Sequence, residues 1–237
     1  MTSIYQEIVF AKKNKRKLLV ILLDPEKILV SDVALLCSKI KNAPVTHIFL
    51  GGSTFNGNYL DELIVEIKKY CTLPILLFPG DHKQISNEAD GILFLSLLSG
   101  RNPDYLIEHQ INAVPFLKKT DLEIIPTAYL LIESGTITAV ERVSLTKPLD
   151  RNNIDYVCQT AKAGEFMGNK LVYLEAGSGA KNAIPLEMIK KVVDEIQIPL
   201  IVGGGISTQE AIEKVFEAGA DMVVIGTAFE NDNTFFN

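Results

Sequence analysis

Cysteine is scarce. The chain has 237 residues and three cysteines, Cys37, Cys71 and Cys158, scattered and without a C-x-x-C pair. That spacing excludes a disulfide framework and a cysteine-built structural zinc site. A reducing, cytoplasmic compartment is expected. Long apolar runs are missing as well. No stretch approaches the roughly 18 residues that span a bilayer. The first run, Leu18 to Leu23, follows the charges of Lys12 to Lys17, and no small-residue cleavage site comes after it. It does not read as a secretory signal. Any lipid chemistry would fall to a soluble protein, with product release at a membrane surface. The formal net charge is −6, so a general nucleic-acid surface is not expected. Walker A, G-x-S-x-G and H-E-x-x-H sequences are absent, and no dinucleotide fingerprint precedes a helix. The three histidines, His47, His82 and His109, are far apart and follow no ligand spacing. They read as solvated or structural.

What is present is an ordinary globular balance, 47% hydrophobic and 22% charged, which rules out disorder as the main state. Short apolar runs recur at Lys17–Leu23, His47–Leu50, Pro74–Phe78, Gly91–Leu95, Ile124–Ile132, Lys170–Leu174, Pro199–Val202 and Met222–Ile225. They do not alternate, which suits strands of a parallel sheet buried on both faces. Helical patterns lie between them: Val30, Val33, Cys37 and Ile40; Leu60, Leu63, Ile64 and Ile67; Leu186, Ile189, Val193 and Ile196; Ala211, Ile212, Val215 and Phe216. Asn102-Pro103 reads as an N-cap followed by a first-turn proline. The predicted fold is a single-domain (β/α)8 barrel, with an open doubly wound sheet as the competitor. Two departures are expected. Only Pro79 to Asp90 separates strands 3 and 4, too little for an ordinary helical crossover, so the helix after strand 3 is absent or reduced to a loop. After Ser134-Gly135, the alternating stretch Thr136 to Ser144 reads as an added, hairpin-like strand.

The chemistry-bearing motifs all fall at predicted strand ends. Gly203-Gly204-Gly205-Ile206-Ser207 follows strand 7 and Gly226-Thr227 follows strand 8. Each alone could be a tight turn. Together, at those two strand ends, they point to a phosphate site. Tyr173-Leu174-Glu175-Ala176-Gly177-Ser178-Gly179 ends strand 6, where Glu175 could take a proton from a substrate hydroxyl or make an ion pair at the barrel rim. Asp24-Pro25 ends strand 1 and Gly51-Gly52-Ser53-Thr54 ends strand 2. Asp24 and Ser53 are hard oxygen ligands suited to Mg²⁺, or an N-cap and a turn residue. Phe94, Leu95, Leu97, Leu98, Tyr129 and Leu131 either fill the core or line an apolar groove.

These residues resemble the geranylgeranylglyceryl phosphate synthases and their bacterial relatives, the heptaprenylglyceryl phosphate synthases. The resemblance is carried by LLDPEK (22–27), FLGGST (49–54), LFPGDHKQIS (77–86), ILFLSLLSGRNPDYLI (92–107), IPTAYLLIESG (125–135), KLVYLEAGSGA (170–180), PLIVGGGI (199–206) and VIGTAFE (224–230). The pairing of SLLSGRNP with YLEAGSGA looks like the larger of the family's two groups. The resemblance implies a modified barrel without a regular third helix. It implies an ether between the 3-hydroxyl of sn-glycerol 1-phosphate and C1 of geranylgeranyl diphosphate, with release of pyrophosphate. It implies Mg²⁺ at Asp24 and Ser53, and glycerol phosphate at Tyr173, Leu174, Glu175, Ala176, Gly177, Ser178, Gly179, Gly204, Gly205, Gly226 and Thr227. A homo-oligomer is expected. Leu22, Ala128 and Ser207 stand where the family pattern would place lysine (in the heptaprenyl branch), glycine and arginine. Those departures bear on the branch, the prenyl groove and the phosphate rim. The competing readings are the same ether formation with another prenyl length (heptaprenyl), a sugar-phosphate isomerase or aldolase, and a barrel that binds prenyl or phosphate ligands without catalysis. Against the isomerase or aldolase, Lys17 and Lys170 begin their strands rather than end them.

Overall fold

Eight parallel strands close into a barrel, with β8 hydrogen-bonded back to β1. They are β1 (Leu18–Leu23), β2 (His47–Leu50), β3 (Ile75–Leu77), β4 (Gly91–Leu97), β5 (Glu123–Leu131), β6 (Leu171–Glu175), β7 (Leu200–Gly203) and β8 (Met222–Ile225). The computed structural model describes residues 3–53, 55, 59–231 and 235–236; Thr54 of the second-strand motif lies outside them. Side chains alternate between two apolar layers. Leu18, Val20, Phe49, Leu76, Leu93, Ile125, Leu171, Ile201 and Met222 fill the barrel, while Leu19, Ile21, Ile48, Val172, Leu200 and Val223 pack outward under the helices. Burial on both faces explains why the strand sequences are continuously apolar.

The helices are α1 (Ile4–Lys13), α2 (Val33–Lys41), α3 (Leu60–Tyr70), α4 (His109–Leu117), α5 (Ala139–Ser144), α6 (Ile154–Phe166), α7 (Leu186–Glu195), α8 (Gln209–Glu217) and α9 (Thr227–Asn231). A π-helical turn, Asp104–Glu108, leads into α4. The Asn102 side chain accepts from the Asp104 N–H at 3.1 Å, and Pro103 starts the helical run, as the Asn-Pro pair predicts. The sequence reading did not anticipate α1. A Ser3–Gln6 capping box starts it, and its buried Ile8 and Ala11 plug the N-terminal end of the barrel. The Glu123 carboxylate at the start of β5 accepts from the Ile4 and Tyr5 N–H groups.

Residues 78–90, between β3 and β4, carry no helix. Pro79 and Gly80 break the pattern, and the Asp81 side chain accepts from the Lys83 N–H at 2.7 Å, a turn rather than a helix start. The added strand expected at Thr136–Ser144 is instead α5. Thr138 and Glu141 form a reciprocal capping box. Val140 and Val143 are three residues apart on this helix and line a groove together.

Candidate active site

Glu175 is the last residue of β6, in register with Leu131 of β5 and Gly203 of β7. It shares a strand face with Leu171 and Tyr173, so its side chain rises from the barrel interior at the C-terminal mouth. It is 6% exposed, and its Oε1 accepts from the Gly177 N–H at 2.6 Å. Burial pushes its carboxyl above the usual carboxylate range, opposed by the Gly177 N–H and the nearby Tyr173 hydroxyl. Tyr173 is fully buried, and among the described residues its hydroxyl has no partner at hydrogen-bond geometry. Its ring packs on Phe78 and Tyr129, with centroids 5.5 and 5.3 Å away.

The glycines after β7 are required by this carboxylate. Gly204 has φ +83°, and a Cβ there would lie 2.4 Å from Glu175 Oε1 and 2.6 Å from the Gly177 nitrogen. Gly203, Gly204 and the Glu175–Gly177 turn thus form one close-packed backbone surface. On the adjoining side, the Ser178 and Thr227 hydroxyls meet at 3.3 Å, joining the loop after β6 to the start of α9. Both side chains are exposed at the rim. Gly226 packs on the Leu22 carbonyl, which puts the Leu22 departure beside this same half of the mouth. Tyr173, Glu175, Gly177, Ser178, Gly204 and Thr227 therefore converge. Gly179 and Gly205 continue the two loops with positive φ. Leu174 and Ala176 contribute backbone only, since both side chains are buried in the outer core. Sequence reasoning missed Thr138, whose methyl sits where a Gly177 Cβ would be; the Thr-x-x-Glu cap was the available signal.

The other half of the mouth carries Asp24 and Ser53. The Asp24 Oδ1 accepts from the Glu26 N–H at 3.1 Å, and Oδ2 lies 3.7 Å from Lys27 Nζ. A Cβ on Gly52 would lie 3.2 Å from Asp24 Oδ1, so the carboxylate stands against the residue preceding Ser53. A Cβ on Gly80 would lie 2.6 Å from the Gly52 carbonyl oxygen and 3.0 Å from Ser53 Cα. The ends of β1, β2 and β3 are therefore stacked edge to edge. Among the described residues, no three His, Cys, Asp or Glu side chains gather to hold a metal alone. One part-exposed carboxylate beside a hydroxyl-bearing turn fits a cation that takes its remaining ligands from substrate phosphates, as Mg²⁺ does.

From this half an apolar groove runs outward over β3 and β4, into the space left by the absent helix. Phe78, Phe94, Leu95, Leu97, Tyr129 and Ala113 line it, with Gly52 and Ser53 at one part of its wall. Of the six apolar residues singled out from sequence, Leu98 and Leu131 are core instead. Ala128 is not on the groove. It is buried on the outer face of β5, where a Cβ on Gly164 of α6 would meet it. Ser207 is exposed in the turn before α8. Two of the histidines are not isolated: His82 and His109 lie in the groove wall with their Nδ1 atoms 3.2 Å apart.

Comparison with known proteins agrees with this layout. The PcrB family matches residues 11–236. A geranylgeranylglyceryl phosphate synthase of Flavobacterium johnsoniae is 58% identical over 237 residues, covering 100% of this chain and 98% of that protein. One from Thermococcus gammatolerans is 42% identical over 95% of this chain and 89% of its own length. The crystal structure of (S)-3-O-geranylgeranylglyceryl phosphate synthase from Thermoplasma acidophilum, in complex with its substrate sn-glycerol-1-phosphate, superposes with a TM-score of 0.93 at 34% identity. It covers 99% of this chain and 95% of that one. An N-acetylmannosamine-6-phosphate 2-epimerase from Clostridium perfringens, at 15% identity and TM-score 0.57, shares the fold alone. With the strand-end motifs and nearly the whole chain matched, the chain belongs to the PcrB family, among its geranylgeranylglyceryl phosphate synthases.

Proposed function

We propose that this chain joins the 3-hydroxyl of sn-glycerol 1-phosphate to C1 of geranylgeranyl diphosphate, forming an ether and releasing pyrophosphate. The observation that carries the reading is the placement of one buried carboxylate, Glu175, at the C-terminal mouth that holds both a glycine-rich, hydroxyl-bearing half and an apolar groove. Backbone N–H groups around Gly177, Gly204, Gly205 and Gly226, with the Ser178 and Thr227 hydroxyls, would hold the glycerol phosphate. Glu175 orients the 3-hydroxyl and takes its proton as that oxygen bonds to C1 and the C1–diphosphate bond breaks. The raised carboxyl makes it a stronger base than an exposed glutamate. The groove shields the allylic carbon from water and fixes its line of approach, which is where much of the rate would arise. Asp24 and Ser53 would hold Mg²⁺, which supplies charge neutralisation for the departing diphosphate.

The exposed Ile107, Ile111 and Val114, along one side of the π-turn and α4, support a homo-oligomer. Three free, buried cysteines fit a reducing cytoplasm. Pyrophosphate release in the presence of both substrates tests the reading. Release that needs sn-glycerol 1-phosphate, geranylgeranyl diphosphate and Mg²⁺ together supports it. Release without the glycerol phosphate points to hydrolysis and refutes it.

A further inference from the structure

We propose that Gln84 is a positioning residue for the diphosphate half of the site: it fixes the turn that carries Ser53. The inference rests on the reading of Asp24 and Ser53 given above. Gln84 lies in the helix-less stretch between β3 and β4 and is 5% exposed. Its single amide reaches three backbone groups on two loops. Nε2 donates to the Gly52 carbonyl at 3.0 Å and to the Phe55 carbonyl at 3.1 Å. Oε1 accepts from the Gly80 N–H at 3.0 Å.

The two carbonyls bracket Ser53 in the chain. The third bond ties the same amide to Gly80, whose Cα lies so close that a Cβ would overlap the Gly52 oxygen and touch Ser53 Cα. One side chain therefore sets the turn after β2 against the loop after β3. It acts where a regular helix, which would ordinarily buttress these strand ends, is missing. The amide type matters. Only a group with two N–H donors and one acceptor can serve both carbonyls and the N–H at once. A buried partner left unpaired is costly. Such backing groups typically alter metal affinity by about 10–100-fold when removed. The expected consequence is weaker capture of a magnesium–diphosphate group, with glycerol phosphate capture, on the opposite half of the mouth, unaffected.

The test uses the full chain, with Mg²⁺ and inorganic pyrophosphate as the probe. Calorimetry compares wild type, Ser53→Ala, Gln84→Met and Gln84→Glu. The glutamate variant keeps the length and one acceptor but turns an oxygen toward the two carbonyls. Both Gln84 variants should weaken magnesium–pyrophosphate binding about 10–100-fold. They should also raise the Mg²⁺ concentration for half-maximal activity and leave sn-glycerol 1-phosphate binding within twofold of wild type. In a Ser53→Ala background, Gln84→Met should add less than a twofold loss. Wild-type-like pyrophosphate binding in the Gln84 variants, with Ser53→Ala impaired, overturns the role of Gln84 alone. An unimpaired Ser53→Ala overturns both this inference and the metal reading beneath it. If neither Gln84 variant folds, hydrogen exchange of the wild type decides. Magnesium–pyrophosphate should slow exchange in Gly80–Gln84 together with Gly51–Phe55, and protection confined to the second segment overturns the proposal.

Discussion

Replacing Glu175 with glutamine separates its catalytic use from its structural cost. Gln keeps the volume and an Oε1 able to accept the Gly177 N–H, so the backbone surface around Gly204 should survive. What disappears is the charge and the capacity to take a proton. General-base assistance is worth about 10²–10⁴-fold, so kcat should fall by that factor, about 3–5 kcal/mol in barrier. The affinity for sn-glycerol 1-phosphate should stay within about threefold. Stability should move the other way. Burial raises the Glu175 carboxyl, so folding favours its protonated form. The wild type keeps that contribution at low pH and loses it as pH rises through the raised value. Glutamine has nothing to ionise. The melting temperature of Glu175→Gln should therefore equal or exceed that of wild type at neutral pH, with the difference growing as pH rises from about 4.5 through the raised value and staying constant above it. Steady-state kinetics and thermal melts across that range measure both. Unchanged turnover would remove Glu175 as the base. Lost turnover with lower stability at pH 8 would refute the claim that its ionised form is held at a cost.

Asp24→Asn should raise the half-activating Mg²⁺ concentration by at least about tenfold while leaving the melting temperature nearly unchanged, because Asn caps the following turn as well as Asp. Gly204→Ala should abolish sn-glycerol 1-phosphate binding by calorimetry. It should also destabilise the fold by at least about 1–3 kcal/mol in denaturant titration, given φ +83° and the overlap with Glu175. His47, at the start of β2, is 3% exposed, and its Nδ1 lies 2.9 Å from Thr46 Oγ1. That hydroxyl already donates to the Leu19 carbonyl, so Nδ1 carries the proton. Among the described residues, Nε2 is left buried and without a partner. Burial pushes the imidazole down to about 4, so the unfolded chain binds a proton that the folded one refuses. Stability should fall by about 3 kcal/mol as pH drops from about 6.5 to about 4, and His47→Gln should flatten that slope in pH-dependent melts.

The barrel was legible because a strand buried on both faces leaves an uninterrupted apolar run; His47–Leu50 and Met222–Ile225 match their predicted bounds residue for residue. The missing helix was legible as a shortage of residues between β3 and β4. Helix α5 was misread because Thr136 to Ser144 alternates over its first few residues, and the Thr138–Glu141 cap outweighs that alternation. Helix α1 is less legible because it is short and buries only Ile8 and Ala11, although Ser3-x-x-Gln6 marks its start. Glu175 and the glycines could be found because strand ends concentrate chemistry in this fold. Ala128 was attached to the wrong place. Which face of β5 it occupies depends on strand register, and one residue decides between groove and helix packing. The His82–His109 contact and the bonds of Gln84 to the Gly52 and Phe55 carbonyls join segments whose proximity only the closed barrel creates, so no spacing rule could reveal them.

The most direct measurement is the product itself. Purified protein is mixed with sn-glycerol 1-phosphate and geranylgeranyl diphosphate, with and without Mg²⁺, and examined by mass spectrometry. Geranylgeranylglyceryl phosphate should form with Mg²⁺ and disappear when the metal is chelated. A folded protein that binds both substrates and yields no ether under either condition would contradict it.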